Sequence, residues 1–155
     1  MKELAAQLVA KLEQRGETLA TAESLTGGLL AATVVDMPGA SAVYRGGAVT
    51  YATDLKVSLL EVDSSQLERT GPVDGEVAKQ MARGAARLCG ADWALATTGV
   101  AGPGPAEGKP AGTVFVGLLR PGSEPQSREF HFVADRNEIR FSAVMAALAW
   151  IIDEL

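Results

Sequence analysis

Residues 18–36 read "TLATAESLTGGLLAATVVD". The first part, "TLATAES", is a run of small and β-branched residues and predicts a strand. The second, "LTGGLLAATVVD", predicts a helix of about ten residues ending at Asp36. A strand passing directly into a helix begins a layered α/β domain. The junction carries Ser24, Thr26, Gly27 and Gly28. One reading is a capping turn, in which a hydroxyl satisfies the helix and the glycines allow close packing. The other is a site, with Ser24 beside free N–H groups of Thr26, Gly27 and Gly28 that bind an anion or a developing oxyanion.

Working outward, Leu4, Leu8 and Leu12 repeat every fourth residue, with Ala5 and Val9 alongside, and Gly16 offers a C-terminal stop. "RGGAVTYAT" predicts a second strand, "DLKVSLLEV" a short helix with Asp54 as N-cap, and "SSQLERTG" a helical turn. "DGEVAKQMARGAARLCG" predicts a helix with Val77, Met81, Ala85 and Leu88 on one face. "ADWALATTG" is continuously apolar, as a central strand would be. "TVFVGLL" and "SREFHFV" alternate like an antiparallel pair joined by "RPGSEPQ". The last helix starts at Asp135, with Glu138 three residues on as in a capping box. It is apolar on most sides, which predicts deep burial or a subunit contact. The order gives an α/β domain with a mixed sheet and no internal repeat, read as a single domain over residues 1–155.

The chain has 155 residues, 47% of them hydrophobic, which is enough for a real core and too apolar for disorder. A net charge of −5 without a basic run argues against a nucleic-acid partner. With one cysteine, Cys89, neither an internal disulfide nor a cysteine metal cluster forms. No apolar stretch is long enough for a bilayer, and the N-terminus lacks a signal-peptide core, so a soluble, cytoplasmic protein is expected.

Three polar clusters, "AESLTGG", "TYATDLK" and "TTGVAGPG", fall at the C-terminal ends of expected strands, where open α/β sheets bind ligands. Lys56, if buried near the start of its helix, would have a lowered pKa and could serve as a base. Thr97 and Thr98 precede a loop, Gly99 to Gly104, whose N–H groups suit a phosphate. That loop is not a Walker A motif, because its glycine spacing is wrong and Pro110 stands where Ser or Thr is required. Either Arg136 or Arg140 is a candidate for a substrate anion. His131, the only histidine, reads as an exposed strand residue and Cys89 as a packed small hydrophobe.

Taken together, "TAESLTGG", "TYATDLK" with "GPVDGEVAKQMARGA", and "TTGVAGPGPAEGKPAGTVFVGL" resemble the successive motifs of the CinA C-terminal domain family, whose characterised members include nicotinamide mononucleotide deamidases. The resemblance runs from about Thr21 to the last helix. It implies a three-layer α/β/α sandwich with a mixed, mostly parallel sheet of about five strands. It also implies a homodimer, and hydrolysis of the pyridine nucleotide's carboxamide to nicotinate mononucleotide and ammonia. In larger members this domain follows a nucleotide-processing domain, whose activity does not transfer. The sequence departs from the family at Leu25, where cysteine is usual, at Ala52, Thr53 and Asp54, and at Pro105 and Ala106, which interrupt a run of glycines.

By resemblance, Ser24, Tyr51, Lys56, Thr98 and Arg140 match site positions. The expected mechanism has Ser24 as nucleophile and Lys56 as base, its pKa lowered by burial and by Arg140. Thr26 and Gly27 N–H groups hold the oxyanion with help from Tyr51, and Thr98, Gly99 and Gly102 hold the phosphate. The opposite assignment, phosphate on Gly28 and its neighbours, stays open. No cofactor, metal, nucleic acid or membrane is called for. The other readings are a nucleotide-binding module without catalysis and a hydrolase of a different amide.

Overall fold

The computed structural model describes residues 1–155. Its strands are β1 (Leu19–Glu23), β2 (Tyr44–Val49), β3 (Trp93–Gly99), β4 (Thr113–Leu119) and β5 (Gln126–His131). Its α-helices are α1 (Lys2–Arg15), α2 (Leu29–Val35), α3 (Thr53–Ser58), α4 (Ser64–Thr70), α5 (Gly75–Cys89) and α6 (Arg136–Glu154). The strands form one five-stranded sheet in the order β2-β1-β3-β4-β5. β1 pairs parallel with β2 and with β3, while β3–β4 and β4–β5 are antiparallel. Only β4 therefore runs against the others, which gives the mixed, mostly parallel sheet expected, with β3 at its centre.

Strand alternation builds the three layers. Leu19, Trp93 and Leu95 face the cluster that includes Leu8 and Leu12 of α1, Leu30 of α2 and Leu148 and Ile151 of α6. Ala20, Ala22, Ala94 and Ala96 face the opposite cluster, with Val77, Met81 and Ala85 of α5. Alternate residues of one strand point to opposite faces, so the large side chains serve one helix layer and the small ones the other. The alanine face lets α5 lie close to the sheet. Gly117 on β4 takes this to its limit, because a Cβ there would collide with the carbonyl of Ala78. Each fully buried leucine or isoleucine contributes roughly 1.5–3 kcal/mol.

Local signals set the helix ends. Gly16 ends α1 at φ 65, its N–H donating to Glu13 and Leu12 carbonyls. Asp74 caps α5 by accepting from Glu76 and Val77 N–H, and Asp135 caps α6 by accepting from Glu138 N–H. Three expectations fail. α2 begins at Leu29, because Leu25–Gly28 forms a turn with positive φ at Gly27 and Gly28. α3 starts after Ala52 with no side-chain cap, so Asp54 lies inside the helix. Leu88 is 46% exposed, off the buried face of α5. α6 is buried on one side only and leaves Phe141 and Met145 partly exposed. No helix is long and apolar enough to cross a membrane.

Candidate active site

The chain leaves β1 through α2 on one face of the sheet and leaves β2 through α3, α4 and α5 toward the other. β1 thus sits at a topological switch point, where strand ends open into a crevice. Ser24 follows β1, Thr50 and Tyr51 follow β2, and Thr98 and Gly99 end β3. Backbone bonds hold these ends together: Ser24 N–H donates to Thr97 O at 2.9 Å, and Thr50 N–H donates to Glu23 O at 2.9 Å.

From the β2 side, α3 delivers Lys56 to Ser24. The amine donates to Ser24 Oγ at 3.0 Å and to Thr50 O at 2.6 Å. Lys56 is 0% exposed, so its charge has no access to water. Burial pushes its pKa down from 10.5 to about 8, against the upward pull of the Glu107 carboxylate. Arg140 plays no part in that shift. Its guanidinium instead donates to Leu25 O at 2.9 Å and Thr26 O at 3.0 Å, which fixes the turn that carries Ser24. Carbonyls thus occupy the Arg140 donors expected to bind substrate, and the side chain stays off the cavity wall.

The turn also departs from expectation. Gly27 N–H donates to Ser24 O, and Gly28 N–H donates to Glu23 Oε1 at 3.2 Å. Glu23 also accepts from Leu30 N–H at 2.8 Å and Ala31 N–H at 3.0 Å. The carboxylate of Glu23, 1% exposed, therefore already fills the start of α2. An anionic ligand would meet that charge there, and the N–H groups of Gly27 and Gly28 already have acceptors within the protein. The donors in this turn that take no acceptor from the protein are Leu25 and Thr26 N–H. Thr26 Oγ1 pairs with Thr97 Oγ1 at 2.7 Å in the interior, which ties the turn to β3. Glu23 escaped the sequence reading, although a charged residue closing a fully buried strand should have prompted a search for its partner.

A cavity of about 400 Å³ lies against Ser24 and the sealed Lys56. The Gly99–Glu107 segment forms much of its wall, and Tyr51, Thr98 and Arg136 join it. Thr98 donates its hydroxyl to Pro72 O at 2.7 Å, which secures the loop and commits its proton. Arg136 donates to Gly102 O at 2.6 Å and to the Tyr51 hydroxyl at 3.3 Å. Tyr51 is 63% exposed and is thereby held by Arg136 at the rim, not on Ser24. Of the two arginines that opened as candidates, Arg136 is the one at the cavity. Gly99 and Gly102 line it as expected, while Thr26, Gly27 and Gly28 do not. His131 lies exposed on β5 beside Glu129, away from this site.

Known proteins share this arrangement's frame. The family model described as CinA C-terminal domain matches residues 1–155. A CinA-like protein from Frankia casuarinae is 50% identical over 137 residues, covering 88% of this chain and 31% of that protein. A CinA-like protein from Geobacter metallireducens is 48% identical over 145 residues, covering 92% of this chain and 35% of that one. The chain spans about a third of the length of these curated relatives. Among solved structures, the competence/damage inducible protein CihA from Agrobacterium tumefaciens superposes with a TM-score of 0.93 at 37% identity, covering 98% of this chain and 93% of that one. A competence-damaged protein (CinA) superfamily protein from Escherichia coli gives 0.95 at 35% identity, covering 99% and 90%. With the whole sequence matched and the fold shared from end to end, the chain belongs to the CinA C-terminal domain family.

Proposed function

We propose that the chain is an amidohydrolase that converts nicotinamide mononucleotide to nicotinate mononucleotide and ammonia, with Ser24 as nucleophile and Lys56 as base. The observation that carries this is the amine of Lys56, cut off from water and 3.0 Å from a serine hydroxyl at the floor of a cavity. A structural lysine gains nothing from that place. A base gains the neutral form it needs.

In its neutral form Lys56 accepts the Ser24 proton as Oγ bonds to the carboxamide carbon. Leu25 and Thr26 N–H stabilise the resulting oxyanion, a contribution of about 3 kcal/mol for each well-placed donor. Collapse breaks the C–N bond as the Lys56 ammonium gives its proton to the amide nitrogen, which leaves as ammonia. Water then attacks the ester, losing a proton to Lys56, which returns it to Ser24 Oγ as the carboxylate product leaves. Arg136 and the Gly99–Gly104 loop suit the phosphate. The carboxylate of Glu23 at the start of α2 supports that assignment over its reverse.

The test supplies nicotinamide mononucleotide and measures ammonia. Turnover by the wild type and none by Ser24→Ala, with an unchanged circular dichroism spectrum, supports the reading. Equal turnover by both removes serine from the mechanism. Binding without ammonia release assigns a nucleotide-binding module, and release from another amide alone assigns a different substrate.

A further inference from the structure

The loop between β3 and β4 holds a feature that turn chemistry does not account for. Ala106 and Lys109 exchange backbone hydrogen bonds of 3.0 and 2.9 Å, closing a miniature hairpin. Its two central residues, Glu107 and Gly108, have φ of 53 and 73. A two-residue turn with both φ values positive favours Asn, Asp or Gly at its first central position, because they adopt that conformation at least cost. Glutamate gains nothing locally. Its longer side chain instead reaches the cavity that holds Ser24 and Lys56, with Oε2 lying over Gly71, 3.5 Å from where a Cβ there would sit. The carboxylate forms no ion pair or hydrogen bond with the protein. A strained, unpartnered side chain facing a site points to work done there.

The cavity also carries an arginine, Arg136, whose donors rest on a carbonyl and a hydroxyl and leave its charge unneutralised. The walls thus present one cation, anchored by its hydrogen bonds, and one anion, while Lys56 is uncharged when it acts as base. Given the amidase reading, on which this inference rests, the ligand has a matching pair of charges: an anionic phosphate and a cationic ring. We infer that Glu107 is a specificity residue, which recognises the positive charge of a quaternary pyridinium and selects it over a neutral aromatic amide. Its contact is electrostatic and involves no bond making. The hairpin places it at the cavity, and ligand binding covers it from water, which strengthens the attraction.

The experiment compares two ligands of one shape on the Ser24→Ala background, where chemistry is silenced. One is nicotinamide mononucleotide. The other is its neutral isostere, in which a benzamide ring replaces the nicotinamide. Calorimetry measures both dissociation constants with Glu107 intact and with Glu107→Gln, which keeps length and polarity. The expected result is roughly fivefold weaker binding of the cationic ligand, a loss that shrinks at high salt, and a change of less than about twofold for the neutral one. Weakening of both ligands alike, or of neither, overturns the assignment while leaving the amidase reading in place. If neither ligand binds and the wild type releases no ammonia from nicotinamide mononucleotide, the amidase reading falls and takes this inference with it.

Discussion

The buried lysine leaves a signature in stability that needs no knowledge of the substrate. Lys56 has a folded pKa of about 8 against an ordinary 10.5. Between those values the unfolded chain binds more protons than the folded one, so stability rises with pH through that window. Below pH 8 the full penalty applies, about 3 kcal/mol from the size of the shift, and above 10.5 it vanishes. Lys56→Met keeps the volume and removes the penalty, but it strips the Thr50 carbonyl of its 2.6 Å donor. An unsatisfied buried carbonyl costs about 1–2 kcal/mol. The variant should therefore be more stable than wild type by about 1–2 kcal/mol near neutral pH, and less stable by a similar amount above pH 10.5. Urea denaturation of both proteins across this range checks it, because every other titration cancels in the difference. A stability difference that does not vary with pH would show that Lys56 is charged or solvated in the folded protein, and the general-base mechanism would go with it.

On the same reasoning, kcat/KM for ammonia release should rise with pH to half its plateau near pH 8, and Glu107→Gln should move that midpoint downward, because the Glu107 carboxylate pulls the Lys56 pKa up; a midpoint near 10 contradicts both. Glu23→Ala should destabilise the fold by about 2–3 kcal/mol in thermal or urea unfolding, since it uncaps three N–H groups, one buried and two part-buried, and Glu23→Gln should cost less. Arg136→Ala should raise KM for a 5′-phosphorylated substrate about tenfold and leave the unphosphorylated nucleoside unaffected, as steady-state kinetics on the pair would report. Thr50 Oγ1 is buried without a hydrogen-bond partner, so Thr50→Val should be neutral or stabilising by up to about 1 kcal/mol in the same unfolding assay.

The fold could be read from the sequence because its signals are local. Apolar runs of strand length, alternation in "TVFVGLL" and caps at Gly16 and Asp135 each act within a few residues, and each holds in the structure. The pairing of Ser24 with Lys56 was also legible, but only through motifs at three strand ends. What failed was whatever depends on distances the sequence does not encode. Two arginines a helical turn apart look equivalent on paper, yet Arg136 reaches the cavity while Arg140 turns inward to two carbonyls. Tyr51 and Lys56 share one motif, yet one stands at the rim and the other is sealed.

Glu23 joins these failures into one physical point. An isolated reading of "AESLTGG" gives a helix start that invites an anion. The protein supplies that anion itself, from the last residue of the preceding strand. With the start of α2 neutralised internally, the turn is free to hold a nucleophile whose developing charge meets only Leu25 and Thr26 N–H. Under the proposed function the substrate phosphate needs its cation elsewhere, and Arg136 lines the cavity outside the turn. In that mechanism, separating the two negative charges in this way would reduce their mutual repulsion as the oxyanion forms. In the proposed mechanism one residue, a glutamate at the end of a buried strand, thereby sets which end of the cavity would receive the reacting amide and which the phosphate.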